Sequence, residues 1–169
     1  MPFCIRQADV NDIDAICGIE RLCFEYPWSR VLFEADLSDN PNALYWVAEE
    51  EGRVLGFIGT HDIAKEINVT NVAVSPEGQN RKIATALVSH MIKYFIGKDI
   101  IGITLEVASK NSPAIHLYEK CGFVREGLRR NYYRNGDDAI IMWRRDTDKE
   151  GVIGIFILSV KDRKIKRQK

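Results

Sequence analysis

The stretch from residue 101 to residue 122 constrains the fold of this 169-residue chain more than any other. It opens with Ile101, Ile103, Leu105 and Val107 at a spacing of two, the period of a strand with one apolar face. Ser112-Pro113 then supplies a helix N-cap and a proline at the first helical position, and Gly122 fits the left-handed residue just past a helix end. These signals predict a strand over 101–108, a short turn, and a helix over 113–121. Glu106 stands inside the strand, on the face opposite the apolar residues, with Thr104 and Ala108. Glu is depleted from strand interiors, so this one needs a reason. Tyr118 lies one to two turns into the helix. A carboxylate and a phenol meeting across a strand-to-helix crossover form a base and an acid suited to proton transfer. Each also has an ordinary explanation: a strand Glu paired with Lys or Arg, and a helix Tyr in the core.

The same rules divide the rest of the chain. Strands are predicted near 3–7, 43–49, 53–63, 66–75, 123–132 and 138–144, and helices over 9–24, 29–37 and 83–95. Asn11 or Asp9 caps the first helix and Ser29 the second. Glu51-Gly52 and Asn135-Gly136 read as hairpin turns, and Asn40-Pro41-Asn42 as a turn. The helix over 83–95 carries one apolar stripe, formed by Ile83, Ala84, Leu87, Val88, Met91, Ile92 and Phe95. The mixture of strands and helices is that of an α/β (α+β) domain. Residues 1–146 read as that domain and 147–169 as an extension, apolar over Val152–Val160 and then basic. The extension reads as an added strand, an association surface or a tail.

Composition narrows the function. Lys+Arg and Asp+Glu both number 24, so the formal net charge is zero. That argues against nucleic-acid or membrane binding driven by overall charge. Cys4, Cys17, Cys23 and Cys121 form no C-x-x-C pair, and the N-terminus does not resemble a signal peptide. Free thiols in a cytoplasmic setting are expected. His61, His90 and His116 have no ligand-like spacing, so no metal is expected. His116 reads as a surface residue and Cys121 as core.

The segment Val74–Thr85 joins a strand to the amphipathic helix. A helix N-terminus leaves N–H groups unpaired and favours anions such as phosphates. Asn80, Arg81 and Lys82 add side-chain donors there, and Ala84 leaves the backbone approachable. An ordinary connection with solvated charges would look similar.

This segment resembles the acetyl-coenzyme A signature of the GCN5-related N-acetyltransferase (GNAT) superfamily, Q/R-x-x-G-x-G/A, read as Gln79-x-x-Lys82-x-Ala84. Lys82 stands where that signature has its first glycine. Residues 105–123, with Arg129-Arg-Asn-Tyr-Tyr133 and Asp138-Ala-Ile-Ile-Met142, closely resemble the ribosomal-protein alanine N-acetyltransferase family (RimI). Phe24-Glu-Tyr-Pro-Trp-Ser29 resembles that family's early loop, and the likeness covers roughly residues 3–145.

The resemblance implies a mixed, mostly antiparallel sheet of six or seven strands, with about four helices, splayed around the cofactor. It implies Glu106 as proton acceptor and Tyr118 as proton donor. For acetyl-coenzyme A it implies backbone pairing through Val72, Ala73 and Val74. The pyrophosphate loop would run from Asn80 through Arg81, Lys82, Ile83 and Ala84 to Thr85, with Gln79 before it and Asn111 as a further contact. Pro27, Trp28, Arg129, Arg130, Tyr132 and Tyr133 are candidates for the peptide side, since exposed aromatic and Arg residues suit such contacts. The implied acceptor is the N-terminal α-amine of a ribosomal protein. A relative acting on a free small amine, and a non-catalytic module binding coenzyme A, remain alternatives. The oligomeric state is not specified by these residues.

Overall fold

The structure, a computed structural model, describes residues 2–145. In chain order the elements are β1 (Cys4–Gln7), α1 (Ile13–Cys23), α2 (Arg30–Ser38), β2 (Ala43–Glu50), β3 (Arg53–Ile63), β4 (Glu66–Val74), α3 (Ile83–Phe95), β5 (Gly102–Ala108), α4 (Ser112–Lys120), β6 (Val124–Arg129) and β7 (Ala139–Arg144). The strands form one sheet in the order β1-β2-β3-β4-β5-β7-β6. Every neighbouring pair is antiparallel except β4 and β5. The expected mixed, mostly antiparallel sheet with four helices is present. The extension at 147–169, including its apolar run, lies outside the described residues.

Helices cover both faces of the sheet, so the central strands are buried on both sides. Tyr45 and Val47 of β2 face one way, into a cluster with Ile13, Ile16 and Cys17 of α1 and Phe33 of α2. Their neighbours Trp46 and Ala48 face the other way, toward Leu87, Met91 and Phe95 of α3. Two-residue turns join β2 to β3 and β3 to β4. The first is the Glu51-Gly52 turn, with φ of 51° and 77°. The second, Ala64-Lys65, has φ of 53° and 70° without a glycine, and falls in the gap left between the strands predicted over 53–63 and 66–75.

Several local expectations are corrected. The first helix does not start at residue 9. A single 3-10 turn, Val10–Asp12, precedes α1, and Asp9 and Asp12 close a reciprocal capping box around it. Ser29 is the N-cap of α2 but its side chain makes no capping bond. The N-cap of α4 is Asn111 rather than Ser112, and its side chain accepts a hydrogen bond from the Ala114 N–H at 3.2 Å. Ile101 lies before β5 and is 50 % exposed. The strand predicted over 123–132 ends at Arg129, which pairs with Ala139. Residues 130–138 are therefore a loop, not a tight Asn135-Gly136 hairpin. Its shape comes from Asn131 and Gly136 at positive φ, and from the Asp138 carboxylate accepting the Asn131 N–H at 2.8 Å.

Candidate active site

The site begins with a break in the sheet. β4 and β5 run in register from Glu66↔Gly102 to Val69↔Leu105, and their pairing stops there. At the same point β4 bulges against β3: Thr60 pairs with Val69 and Gly59 with Asn71, leaving Thr70 as the extra residue. A bulge bends its strand and adds twist. The two strands separate, and a cleft of about 1100 Å³ opens between Val69–Val72 on one side and Leu105–Ala108 on the other. The loop between α1 and α2, the loop between β6 and β7, and one face of α4 complete its walls. A second, smaller hollow of about 260 Å³ lies elsewhere, beside the end of α2, and holds none of the candidate site residues.

Glu106 and Tyr118 both line the cleft. The Glu106 side chain is 27 % exposed, and one carboxylate oxygen lies 3.0 Å from Nε of Arg129. The ordinary partner for a strand Glu is thus present alongside the cleft position. The nearby Glu106 carboxylate raises the Tyr132 pKa, with burial adding to the effect. Burial pushes the Tyr118 phenol well above its ordinary value, and the neighbouring Tyr133 and Cys121 push it further. Its ring packs edge-on against Phe123 at 5.9 Å. Burial, then the charge of Glu106, then Tyr132 push Tyr133 up to about 12. Tyr133 therefore sits close enough to both Glu106 and Tyr118 to link them electrostatically. All three phenols stay protonated at neutral pH, so the half-buried Tyr118 and Tyr133 each keep an O–H to donate.

The expected cofactor residues divide by what they present. Val72 and Asn111 line the cleft. The Ala73 and Ile83 side chains are buried in the two cores, so only their backbones face outward. The Val74 carbonyl accepts a hydrogen bond from Cys23 Sγ at 3.3 Å. Beyond Gln79, Asn80 and Lys82 both take left-handed backbone conformations, with φ of 59° and 62°. Lys82 is the N-cap of α3, and no side chain caps that helix. Its first-turn N–H groups, at Ile83, Ala84 and the exposed Thr85, form an anion-favouring end. Arg81 is committed elsewhere: its guanidinium makes a two-pronged pair with Glu50, at 2.6 and 3.1 Å. Among the described residues no group of three His, Cys, Asp or Glu side chains is placed to hold a metal. No helix among them is long and apolar enough to cross a membrane.

On the peptide side, Pro27, Trp28, Tyr132 and Tyr133 line the cleft. Arg129 and Arg130 do not; Arg129 sits on Glu106 and over the Tyr132 ring, and Arg130 is exposed. The arginine that does line it is Arg134, whose guanidinium lies 5.3 Å from the Tyr26 ring across the two loops. Sequence reasoning missed Arg134, Tyr26 and Glu20. For Arg134 and Tyr26 the signal lies only in the loop geometry. For Glu20 a signal existed: it falls on the apolar stripe of α1, where a carboxylate has no solvent.

Comparison with known proteins bears on this cleft. A family model described as "Acetyltransferase (GNAT) family" matches residues 13–123. A Bacillus subtilis protein provisionally named ribosomal protein bS18-alanine N-acetyltransferase is 36 % identical over 140 residues, covering 82 % of this chain and 93 % of that one. The Escherichia coli ribosomal protein bS18-alanine N-acetyltransferase is 32 % identical over 141 residues, covering 82 % of this chain and 94 % of its own. The crystal structure of the ribosomal-protein-S18-alanine N-acetyltransferase from Escherichia coli superposes with a TM-score of 0.77 at 31 % identity, covering 84 % of this chain and 92 % of that one.

Proposed function

The chain belongs to the acetyltransferase (GNAT) family, and we propose from that premise that it moves an acetyl group from acetyl-coenzyme A to the N-terminal α-amine of a protein. The acceptor in this reading is the N-terminal alanine of a small-subunit ribosomal protein, the substrate class in the names of relatives 32–36 % identical to it. Residues 1–146 form the transferase domain in this reading. The observation that carries it is the parting of β4 and β5 at Thr70, which places the Glu106 carboxylate and the Tyr118 phenol in one cleft.

The residues present fit acetyl-coenzyme A. β4 beyond Val69 has no β5 partner, so its edge is open to pair with an amide-bearing chain. The uncapped N-terminus of α3 suits the pyrophosphate, with Asn80 and Lys82 bending the backbone around it. Lys82 adopts a left-handed conformation that glycine would adopt without strain, so this backbone is one that the signature's glycine could also take. Asn111 caps α4 with its Oδ1, which leaves its amide nitrogen as a donor toward the cleft.

The chemistry follows from proton bookkeeping. The amine must be neutral to attack the thioester carbonyl. An α-amine has a pKa of roughly 7.7–8.0 and Lys about 10.4, so at pH 7 about a tenth of the former is already free base. Glu106, directly or through a water, takes the proton that the nitrogen loses as the C–N bond forms. The C–S bond breaks and the electron pair leaves on the coenzyme thiolate. A thiol has a pKa of about 8.5. Tyr118 lies well above that, so it acts as the acid by donating a strong hydrogen bond to the departing thiolate, and the coenzyme takes its proton from water on release. Arg129 holds Glu106 in place when no amine is bound. Trp28, Tyr132 and Tyr133 form the peptide wall. No covalent enzyme intermediate is required, and Cys23 and Cys121 have no part in the transfer.

Calorimetry of the full chain with acetyl-coenzyme A tests the donor side. Binding is expected, and Ala84→Glu should weaken it by placing bulk and negative charge at the α3 N-terminus. Unchanged affinity in a folded Ala84→Glu variant would remove the donor from this loop.

A further inference from the structure

Glu20 is 1 % exposed, on a face of α1 otherwise made of Ile13, Ile16 and Cys17. A buried carboxylate is unfavourable unless donors surround it. Its donors are neutral and come from two different parts of the cleft. The Trp28 N–H, in the loop between α1 and α2, donates to Oε1 at 3.1 Å. The Asn71 Nδ2 of β4 donates to Oε1 at 2.9 Å and to Oε2 at 3.0 Å. Asn71 follows the bulged Thr70, where β4 leaves β5. The Trp28 ring is held separately, by tilted packing on Phe33 at 5.8 Å. One carboxylate therefore ties the aromatic loop to the strand that borders the opened cleft.

We propose that Glu20 is a positioning residue that fixes the acceptor-binding loop, through the Trp28 N–H, against the donor-binding strand, through Asn71. This rests on the acetyl-transfer reading above. Glu20 makes no contact with the reacting atoms. It sets the distance and angle at which an acceptor amine held by the loop meets the thioester held along β4. A small misplacement of that wall lowers the fraction of bound acceptors in an attacking geometry. Burial pushes the Glu20 carboxyl above its ordinary value, but bond geometry rather than charge is what the role requires. Gln keeps an acceptor for the Trp28 N–H; Leu keeps the volume and removes both bonds.

The experiment compares wild type, Glu20→Leu and Glu20→Gln as full chains, using acetyl-coenzyme A and an Ala-starting peptide. Glu20→Leu should lower kcat for the peptide about tenfold or more, while acetyl-coenzyme A affinity stays within about twofold. Glu20→Gln should recover most of that loss. Amide hydrogen exchange should show the Trp28 N–H protected in wild type and in Glu20→Gln, relative to its neighbours Tyr26 and Ser29. It should be unprotected in Glu20→Leu. An unchanged kcat for the peptide in folded Glu20→Leu, or a Gln variant as impaired as Leu, would overturn the proposal. If neither variant folds, an unprotected Trp28 N–H in wild type would overturn it and a protected one would support the tie. If wild type does not acetylate the peptide, the acetyl-transfer reading fails, and the exchange comparison still decides whether Glu20 holds the loop.

Discussion

At the scale of single residues, the proposed transfer assigns its proton chemistry to Glu106 and Tyr118, and that assignment has measurable consequences. Tyr118→Phe removes only the hydroxyl, so acetyl-coenzyme A binding should persist while turnover falls by roughly 10²–10⁴-fold. Glu106→Gln should also lose turnover, and its residual rate should rise with pH as the amine loses its proton unaided. Near-normal rates in both folded variants would make the carboxylate a structural partner of Arg129 and the phenol a core residue. The pair was legible in the sequence because the strand period fixes the face that Glu106 occupies and the helix signals fix where Tyr118 falls. Their surroundings were not. The Arg129 contact and the approach of Tyr132 to Glu106 depend on where the loop over 130–138 folds back, and that path is set by Asn131, Gly136 and Asp138 acting together. Of the arginines in this stretch, the sequence suggested Arg129 and Arg130 for the peptide side, whereas the loop brings Arg134 to the cleft.

Among the elements, the cleft depends on β4 and on the entry to α3. Gly59 of β3 faces the bulge, and a Cβ there would collide with the Tyr45 ring and stand 2.8 Å from the Thr70 hydroxyl. Overpacking of this kind costs about 1–3 kcal/mol. Gly59→Ala should therefore lower Tm by roughly 2–10 °C and reduce activity through the displaced bulge, as thermal scans and rate assays would show. An unchanged Tm would mean that Tyr45 has room to move. Lys82 makes the opposite case. Its left-handed backbone is unfavourable by about 1–2 kcal/mol for a residue with a side chain. Glycine relieves that but loses more chain entropy on folding, by roughly 0.5–1 kcal/mol. Lys82→Gly should therefore leave Tm unchanged or raise it slightly, with acetyl-coenzyme A affinity retained. A clear drop in Tm would show that the lysine side chain makes contacts that outweigh its backbone strain. Most elements were readable because their apolar spacing is regular. The bulge at Thr70 and the end of the β4–β5 ladder were not, since nothing local in Val69-Thr70-Asn71 distinguishes a strand that stays paired from one that departs.

Across the whole molecule, stability at low pH follows from a few buried carboxyls with opposite shifts. The Arg6 guanidinium, with two bonds of 2.8 Å, holds the Asp12 carboxyl below its ordinary 3.8 despite burial. Burial pushes Asp36 up, but bonds from Asn40, His61 and Tyr45 outweigh it, and the net shift is downward. For both, the unfolded chain binds more protons in the interval below about 3.8, so their stabilisation is complete above it and is lost as pH falls through the folded values. Glu20 runs the other way. Burial raises it above 4.5, so the folded chain takes up that proton first and is relieved as pH falls toward 4.5. Tm should hold or rise slightly from pH 7 to about 5 and fall below about 4. Asp12→Asn should lower Tm at pH 7 and shrink the loss near pH 3. A wild-type Tm that declines steadily from pH 7 would contradict these signs.

The central claim is that the cleft between β4 and β5 acetylates a protein α-amine. It is tested most directly by incubating the full chain with acetyl-coenzyme A and an Ala-starting peptide that also contains one internal lysine, then mapping the product by tandem mass spectrometry. The account predicts one acetyl group, on the α-amine, formed with release of free coenzyme A and lost in Glu106→Gln. Acetylation of the lysine at a comparable rate, or no transfer by a chain that binds acetyl-coenzyme A, would contradict it.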